Sequence, residues 1–193
     1  MARTKEFDPG VALDAAMELF WRRGYEATST ADLVAHLGVA RASLYATFGG
    51  KHDLYLKAFD RYLQSRDPNI VELLSRPGPA VPLVRKLVRL YAQESTTELG
   101  KRGCFVVSAA AERLPEDESV ARRVQSSWDT VEVALTSVLL RARAQGELSE
   151  DAEPRALARF FLVFLQGMRV VGMGAANPDR LNDAVRQALR VLE

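Results

Sequence analysis

The stretch TSTADLVAHLGVARASLYATF, residues 28–48, decides how the N-terminal part of this chain folds. Ser29 and Asp32 have the S-x-x-D spacing of a capping box, which begins a helix. Gly38 can adopt the left-handed conformation that ends this helix and turns the chain, and Leu44 gives the next short helix a residue to bury. Two short helices joined by a glycine turn predict a helix-turn-helix at residues 29–48, whose second helix can enter a DNA major groove.

The charges around this motif agree with binding to DNA. Between Asp32 and Asp53 the chain has no acidic residue, whereas Arg41, Lys51 and two histidines can carry positive charge. A surface that faces phosphates needs such a local absence of carboxylates. The net charge of the whole chain is only +1, so it indicates nothing by itself. The alternative is a helix pair buried in an ordinary bundle, which would leave the acid-free stretch unexplained.

The rest of the chain predicts further helices and no sheet. Apolar residues recur at helical spacing, and no hairpin turn separates alternating apolar runs. Asp8 and Pro9 indicate the start of the first helix, and Gly24 indicates its end. We expect an all-α protein with helices at about residues 9–23, 30–37, 41–47, from 51 onward, 82–97, 104–114, 119–144, 154–173 and 179–192.

The composition argues against several classes of protein. The single cysteine excludes an internal disulfide and a multi-thiolate zinc site, and only two histidines are present for a metal centre or a Ser/His/Asp site. The N-terminus lacks the apolar run of a signal peptide, and the most apolar stretch contains Arg159, Gln166 and Arg169. We therefore expect a soluble, cytoplasmic protein with no membrane span, metal, cofactor or enzymatic activity.

Several spaced residues between positions 24 and 54 agree with one known pattern. They are Gly24-Tyr25, Thr28-Ser29, Gly38-Val39 and Tyr45-x-x-Phe48-x-x-Lys51-x-x-Leu54. With these residues the chain resembles the tetracycline-repressor family of bacterial regulators. The resemblance implies an all-α homodimer with an N-terminal three-helix DNA-binding domain, residues 1–66, and a C-terminal domain for effector binding and dimerisation, residues 67–193.

The resemblance also indicates which residues meet DNA. It places Arg41, Ser43 and Tyr45 in the recognition helix, and it matches Lys51 to a phosphate contact at the positive end of the next helix. The candidate DNA contacts are Thr28, Thr30, Arg41, Ala42, Ser43, Tyr45, Thr47 and Lys51.

Two positions of the motif depart from the family pattern. Ala40 stands where the family often has a Ser or Thr N-cap, so we expect a recognition helix that frays more. Val34 stands where a small Ala is common, so we expect slightly wider helix packing. Further upstream, Arg3 and Lys5 could form an arm in the minor groove, and the alternative is a disordered tail.

The C-terminal part offers candidates for an effector site. Its aromatic and mostly uncharged residues suggest an apolar or aromatic effector, while ordinary core packing is the alternative for each of them. The candidates are Tyr91, Phe105, Ser108, Trp128, Phe164 and Met168, with Phe160, Gln93, Glu112 and Gln166 as further possible contacts.

The last two long predicted helices, residues 154–173 and 179–192, both have an apolar face. In the family that the chain resembles, such helices pair across the dimer as a four-helix bundle. The alternative is an intramolecular core. For the last helix we favour the dimer, because a terminal amphipathic helix needs a partner surface.

Cys104 follows two cationic residues and Gly103 at a predicted helix start. Both the cations and the helix N-terminus favour a reactive thiolate, which makes Cys104 a redox candidate. The interpretation we favour is a small buried residue at a crowded helix start.

Together these patterns predict a ligand-responsive DNA-binding regulator that acts as a repressor. A homodimer would place two recognition helices on a near-palindromic operator in double-stranded DNA, and a small-molecule effector would release it. The alternative is a helical small-molecule-binding protein that no longer binds DNA specifically.

Overall fold

The computed structural model describes residues 7–65, 69–114, 116–174 and 177–193, and these residues contain helices and no strand. The all-α prediction is confirmed. The helices are α1 Pro9–Arg23, α2 Thr30–Leu37, α3 Arg41–Phe48, α4 Lys51–Ser65, α5 Ile70–Ser75, α6 Val81–Ser95, α7 Glu98–Lys101, α8 Phe105–Arg113, α9 Glu118–Ala144, α10 Pro154–Met173 and α11 Pro178–Leu189, followed by a 3-10 turn, Arg190–Leu192.

Helix ends that have a local sequence signal lie where the sequence predicts them. The Asp8 carboxylate accepts the N–H groups of Gly10 at 2.7 Å and Val11 at 3.2 Å, so it caps α1. Gly24 ends α1 with a φ of 82°, a conformation that glycine adopts without steric cost. The predicted arm residues Arg3 and Lys5 lie outside the described residues, as does the predicted domain boundary at residues 66 and 67.

The C-terminal end of α6 and the two short helices α5 and α7 differ from the prediction. We expected a helix to continue to Thr97, but α6 ends at Ser95. The hydroxyls of Thr96 and Thr97 donate to the carbonyls of Gln93 and Glu94, both at 2.7 Å, and so compete with continuation of the helix. The short helices α5 and α7 were not predicted, because six and four residues are too few to show a helical period.

The chain divides into two compact units that do not follow the order of the sequence. Residues 7–65 and Ser108–Arg123 form the N-terminal unit, whereas residues 69–107 and Val124–Glu193 form the C-terminal unit. Ser108–Arg123 thus packs with the first four helices, although it lies far from them in the sequence.

The N-terminal unit is built around the packing of α1 against α4. Leu19 and Phe20 of α1 and Leu54 and Phe59 of α4 are almost fully buried. The helix-turn-helix pair α2 and α3 contributes Leu33, Leu44 and Phe48 to the same core. Burial of these side chains supplies the hydrophobic free energy that fixes the orientation of α3.

The core of the C-terminal unit combines residues of α6, α9, α10 and α11. Leu181, Val185, Leu189 and Leu192 at the end of the chain belong to this intramolecular core. The interpretation that the apolar face of the last helix serves a dimer is therefore wrong. That face is covered by α6 and α10 of the same chain, which a periodicity in one helix cannot reveal.

Helix α10 is long and apolar enough, by length and composition, to cross a membrane. A single such helix is weak evidence, because a core helix of a water-soluble protein has the same composition. Phe161, Leu165 and Met168 of α10 are buried in the C-terminal unit. The apolar character of α10 is thus explained in part by packing within the chain.

Candidate DNA-binding surface

Helix α2 begins and ends as the sequence predicts. The Ser29 hydroxyl accepts the Asp32 N–H at 3.1 Å, and the Asp32 carboxylate accepts the Ser29 N–H at 2.8 Å, which completes a capping box. Gly38 ends the helix at φ 65° and ψ 25°, in the left-handed region. These local bonds set the turn that separates α2 from α3.

Helix α3 has one buried side and one exposed side. Leu44 and Phe48 are buried, so the opposite side of the helix faces solvent. Ala40 precedes α3 in an extended conformation and makes no side-chain capping bond, as expected from its missing hydroxyl. The exposed residues of α3 are Arg41, Ala42, Tyr45, Ala46 and Thr47, while Ser43 is half-buried.

Tyr45 has neighbours from both helices of the motif. Hydrogen bonds to the side chains of Thr30 and Arg41 lower the pKa of the Tyr45 phenol. The Arg41 guanidinium also lies 5.5 Å from the centre of the Tyr45 ring. The predicted contacts Thr30, Arg41 and Tyr45 therefore form one connected group on the surface of the helix-turn-helix.

Thr28 lies in a different environment from the other candidates. Its side chain is fully buried, and its hydroxyl donates to the Gly24 carbonyl at 2.7 Å. The hydroxyl thus fixes the turn between α1 and α2 and is not presented to solvent. Its sequence position beside the motif gave no sign of this burial.

Lys51 begins α4, at the positive end of the helix, and it is half-buried. Its ammonium lies 4.0 Å from the centre of the Tyr25 ring. A cation–π contact at this distance restricts the lysine side chain without neutralising its charge. Lys51 is thus a positive group with a restricted position beside α3.

The segment Ser108–Arg123 holds the loop between α1 and α2. The Glu112 carboxylate accepts the backbone N–H groups of Tyr25 and Glu26, each at 2.8 Å. The Arg113 guanidinium donates to the Glu26 carboxylate at 2.5 Å and lies 4.6 Å from the centre of the Tyr25 ring. Tyr25 therefore contacts two cations, Lys51 and Arg113.

Asp117 joins the same cluster from the start of α9. Its carboxylate accepts the N–H groups of Ser119 and Val120 and lies 2.7 Å from His52 Nε2. Burial raises the pKa of Asp117, but hydrogen bonds from Val120, His52 and Arg113 outweigh it and leave the pKa below its ordinary value. The carboxylate is therefore held in its charged form next to the start of α4.

Sequence reasoning missed this cluster as part of the site. Asp117 caps α9, which is a local role of the kind that a sequence can indicate. The partners of Glu112 lie more than eighty positions away in the chain. No local pattern reports such a distant contact, so only the folded chain could identify it.

The effector candidates fall in both compact units. Tyr91, Phe105 and Met168 are buried in the C-terminal unit, whereas Ser108 belongs to the N-terminal unit. Phe164 is half-buried and stacks on Phe160 with ring centres 6.0 Å apart. For three of the candidates, core packing thus accounts for the side chain.

Four buried polar atoms inside the C-terminal unit remain without a hydrogen-bond partner among the described residues. Two of them are the Nε atoms of Arg141 and Arg169, whose guanidinium groups donate through other nitrogens, and the other two are Trp128 Nε1 on α9 and Gln166 Oε1 on α10. A buried polar atom without a partner is unfavourable unless a water molecule or a ligand satisfies it.

Cys104 is buried, with 2% of its surface exposed, which agrees with a packing role. Redox sensing by Cys104 stays a prediction.

Two family models match the chain in sequence. The model described as bacterial regulatory proteins, tetR family, matches residues 12–58. The model described as tetracyclin repressor-like, C-terminal domain, matches residues 80–189. The first match contains the helix-turn-helix, and the second covers most of the C-terminal unit.

The similar proteins and structures are transcriptional regulators. The uncharacterised HTH-type transcriptional regulator YezE of Bacillus subtilis (strain 168) is 38% identical over the full length of both chains. The HTH-type transcriptional repressor ComR of Escherichia coli (strain K12) is 30% identical, with 98% of this chain and 90% of ComR covered. A cysteine mutant of the TetR family regulator CifR, solved with 26-base-pair operator DNA, is 32% identical with a TM-score of 0.85, covering 98% of each chain.

Proposed function

Because the chain belongs to the tetR family of bacterial regulatory proteins, we propose that it is a repressor whose helix α3 binds an operator and which a small-molecule effector releases. Its relatives are transcriptional regulators and not enzymes, and the protein is a transcriptional regulator of the same family. Ligand-responsive repression is typical of this family. Since its target is DNA, we place its action in the cytoplasm.

The exposed face of α3 is the observation that carries the proposal for DNA binding. Arg41, Ala42, Tyr45 and Thr47 lie on this face, and they offer a guanidinium, a methyl group and two hydroxyls to phosphates and base edges. Thr30 lies beside Tyr45 and lowers the pKa of its phenol.

Lys51 and Ser43 complete the proposed contact set in supporting positions. Lys51 supplies a phosphate contact at the N-terminus of α4, where the helix dipole adds attraction for an anion. Ser43 is half-buried and contributes only its exposed side. We leave Thr28 out of the set, because its hydroxyl is buried and already bonded to Gly24.

Fluorescence anisotropy tests this proposal directly. We expect Arg41→Ala or Tyr45→Ala to reduce affinity for DNA from the gene's own upstream region by about 1–3 kcal/mol, with the fold intact. Arg76→Ala is the matched control, because Arg76 is exposed and lies in the C-terminal unit. The affinity of this variant for DNA should equal that of the wild type.

A salt series separates specific from unspecific binding. A repressor should bind the upstream fragment far more tightly than scrambled DNA at each salt concentration. If both α3 variants keep the full salt-dependent affinity, α3 is not the helix that contacts DNA. If the wild type binds both DNAs equally weakly, the alternative of a small-molecule-binding protein without specific DNA binding is favoured.

We propose that the exposed apolar stripe of α10 forms the homodimer interface. Phe160, Val163 and Val170 are 41%, 71% and 50% exposed, and they recur at helical spacing. Gly167 lies on the same stripe, and apart from its chain neighbours and the backbone of α10 no described atom lies within 4 Å of the position where its Cβ would be. Two such stripes can approach closely around Gly167, and a two-fold axis would present two copies of α3 to a near-palindromic operator.

For the effector we propose a site in the C-terminal unit that includes Trp128 and Gln166. Their two unpartnered atoms would provide one hydrogen-bond donor and one acceptor to a ligand with an apolar or aromatic body. Such a ligand can release DNA only if it binds more tightly to a conformer that binds DNA poorly. An effector found by loss of anisotropy should therefore lose potency in Trp128→Phe, which keeps an aromatic ring at this position but removes the N–H donor.

A further inference from the structure

The C-terminal unit has an open groove between α6 and α11 that the proposed function does not use. Its volume is about 460 Å³, within the range of sites for small metabolites. The groove contains no residue of the apolar α10 stripe and neither Trp128 nor Gln166. It is lined by Arg89, Ala92, Gln93, Thr96, Pro178, Asn182, Val185 and Arg186.

The charged groups of this groove are all positive. Arg89 and Arg186 line it from its two helices, and no carboxylate is among the lining residues. A shallower depression on α6 adjoins the groove, shares Arg89 and Gln93 with it and adds Lys86. Within the described part of the chain, no ion pair joins Arg89 or Lys86 to an acidic group. A local field of this kind attracts anions.

Arg186 has one acidic neighbour, which does not remove it from the groove. It pairs with Asp183 one helical turn earlier on α11. Both side chains of this pair are largely exposed, and exposed ion pairs of neighbouring turns contribute little free energy. Arg186 can therefore turn toward a ligand at small cost.

The remaining lining residues suit an organic ligand better than a bare inorganic ion. Ala92 and Val185 are buried and form an apolar floor, and the exposed Pro178 adds apolar surface to the lining. Gln93, Asn182 and Thr96 add amides and a hydroxyl at the exposed rim. Small-molecule sites in proteins combine an apolar surface with a few placed polar groups in this way.

We propose that the α6–α11 groove binds a small organic anion, with its phosphate or carboxylate held by Arg89 and Arg186 and its apolar body on Ala92 and Val185. Guanidinium groups form charge-assisted, two-pronged hydrogen bonds with both kinds of anion. Lys86 strengthens the attraction from the adjoining depression. This site is separate from the effector site proposed above and requires no DNA.

Isothermal titration calorimetry on the full chain tests the groove with three probes. They are 4-nitrophenyl phosphate, 4-nitrobenzoate and the neutral 4-nitrobenzyl alcohol, which share one aromatic body. We expect the two anions to bind at submillimolar to millimolar concentration and the alcohol not to bind. Their relative affinities then show whether the groove prefers phosphate or carboxylate.

Two double variants with the same change in net charge locate the site. Arg89→Gln with Arg186→Gln should weaken binding of the preferred anion at least about tenfold, because both charge-assisted contacts are lost. Arg180→Gln with Arg190→Gln removes two exposed arginines of the same C-terminal segment that do not line the groove, and it should bind as the wild type does. An unchanged melting temperature shows that each variant is folded.

Three results would overturn the proposal. The first is absence of binding of either anion to the wild type at millimolar concentration. The second is equal binding by the wild type and the groove variant, which would place the anion elsewhere in the protein. The third is equal loss in both double variants, which would show a general effect of net charge.

Discussion

Tyr25 contacts residues from two distant parts of the chain. Its ring contacts the cations of Lys51 and Arg113, and its backbone N–H donates to Glu112. Lys51, which presents a charge at the proposed DNA surface, is thus linked to the segment Ser108–Arg123 through the Tyr25 ring. Glu112 is the key member, since one carboxylate satisfies two backbone donors of the loop between α1 and α2.

We predict that Glu112→Ala lowers the free energy of unfolding by about 2 kcal/mol. The variant leaves the N–H groups of Tyr25 and Glu26 without their charged acceptor, and the loss of hydrogen bonds to a charged group has this magnitude. Urea unfolding, monitored by circular dichroism, measures this loss of stability as a lower urea midpoint.

Glu116→Ala is the matched control, because Glu116 is an exposed acidic residue of the same segment. The free energy of unfolding of this variant should differ from that of the wild type by less than about 0.5 kcal/mol. Equal effects of the two variants would mean that overall charge, and not the cap on the α1–α2 loop, is responsible.

At the scale of elements, the two helices of the motif differ in how they begin. Helix α2 has a complete capping box, whereas α3 starts after Ala40 without a side-chain acceptor. The N–H groups in the first turn of α3 are therefore left to solvent. Helix α3 thus depends on the burial of Leu44 and Phe48 more than on its own ends.

We predict that Ala40→Ser stabilises α3 by about 0.5–1 kcal/mol. The backbone of residue 40 is already extended, with φ −66° and ψ 143°, so a serine hydroxyl can accept an N–H of the first turn. Hydrogen exchange of the α3 amides should slow by a corresponding factor.

Ala46→Ser provides the comparison within the same helix. Residue 46 is exposed in the interior of α3, where serine has a lower helix propensity than alanine, so exchange should become slightly faster. Slower exchange in both variants would show that the added hydroxyl acts in some way other than capping.

At the scale of the whole molecule, the distribution of exposed apolar surface argues for association. The apolar face of α11 is used within the chain, but α10 keeps large apolar side chains on its outer side. Contiguous exposed apolar surface on a folded protein usually marks an interaction site. The dimer proposal therefore rests on α10.

We predict that Val163→Asp weakens the homodimer at least about 100-fold. Residue 163 is 71% exposed in the single chain, so the change should leave the monomer folded, but in a symmetric interface it would bury two carboxylates without partners. Sedimentation velocity over a concentration series measures the dissociation constant.

The control is Val11→Asp, since Val11 is 67% exposed but lies on α1 in the N-terminal unit. It should leave the sedimentation behaviour unchanged. A dimer that persists in Val163→Asp would show that the α10 stripe is not the interface.

The sequence by itself determined the features that depend on neighbours along the chain. The helix-turn-helix follows from the Ser29–Asp32 capping box and the left-handed Gly38, and the start of α1 follows from Asp8. These signals are reliable because a capping bond spans only two or three residues and a glycine's conformational freedom is its own.

Only the tertiary structure decided which of these surfaces are free and which are covered. It buried Thr28, turned the apolar face of α11 into the core of its own unit and brought Glu112 to the loop between α1 and α2. A periodic pattern shows that a helix has an apolar face, but the partner that covers it can come from any part of the chain. Contacts between distant residues depend on how whole helices pack, and packing is a property of the folded chain rather than of any segment.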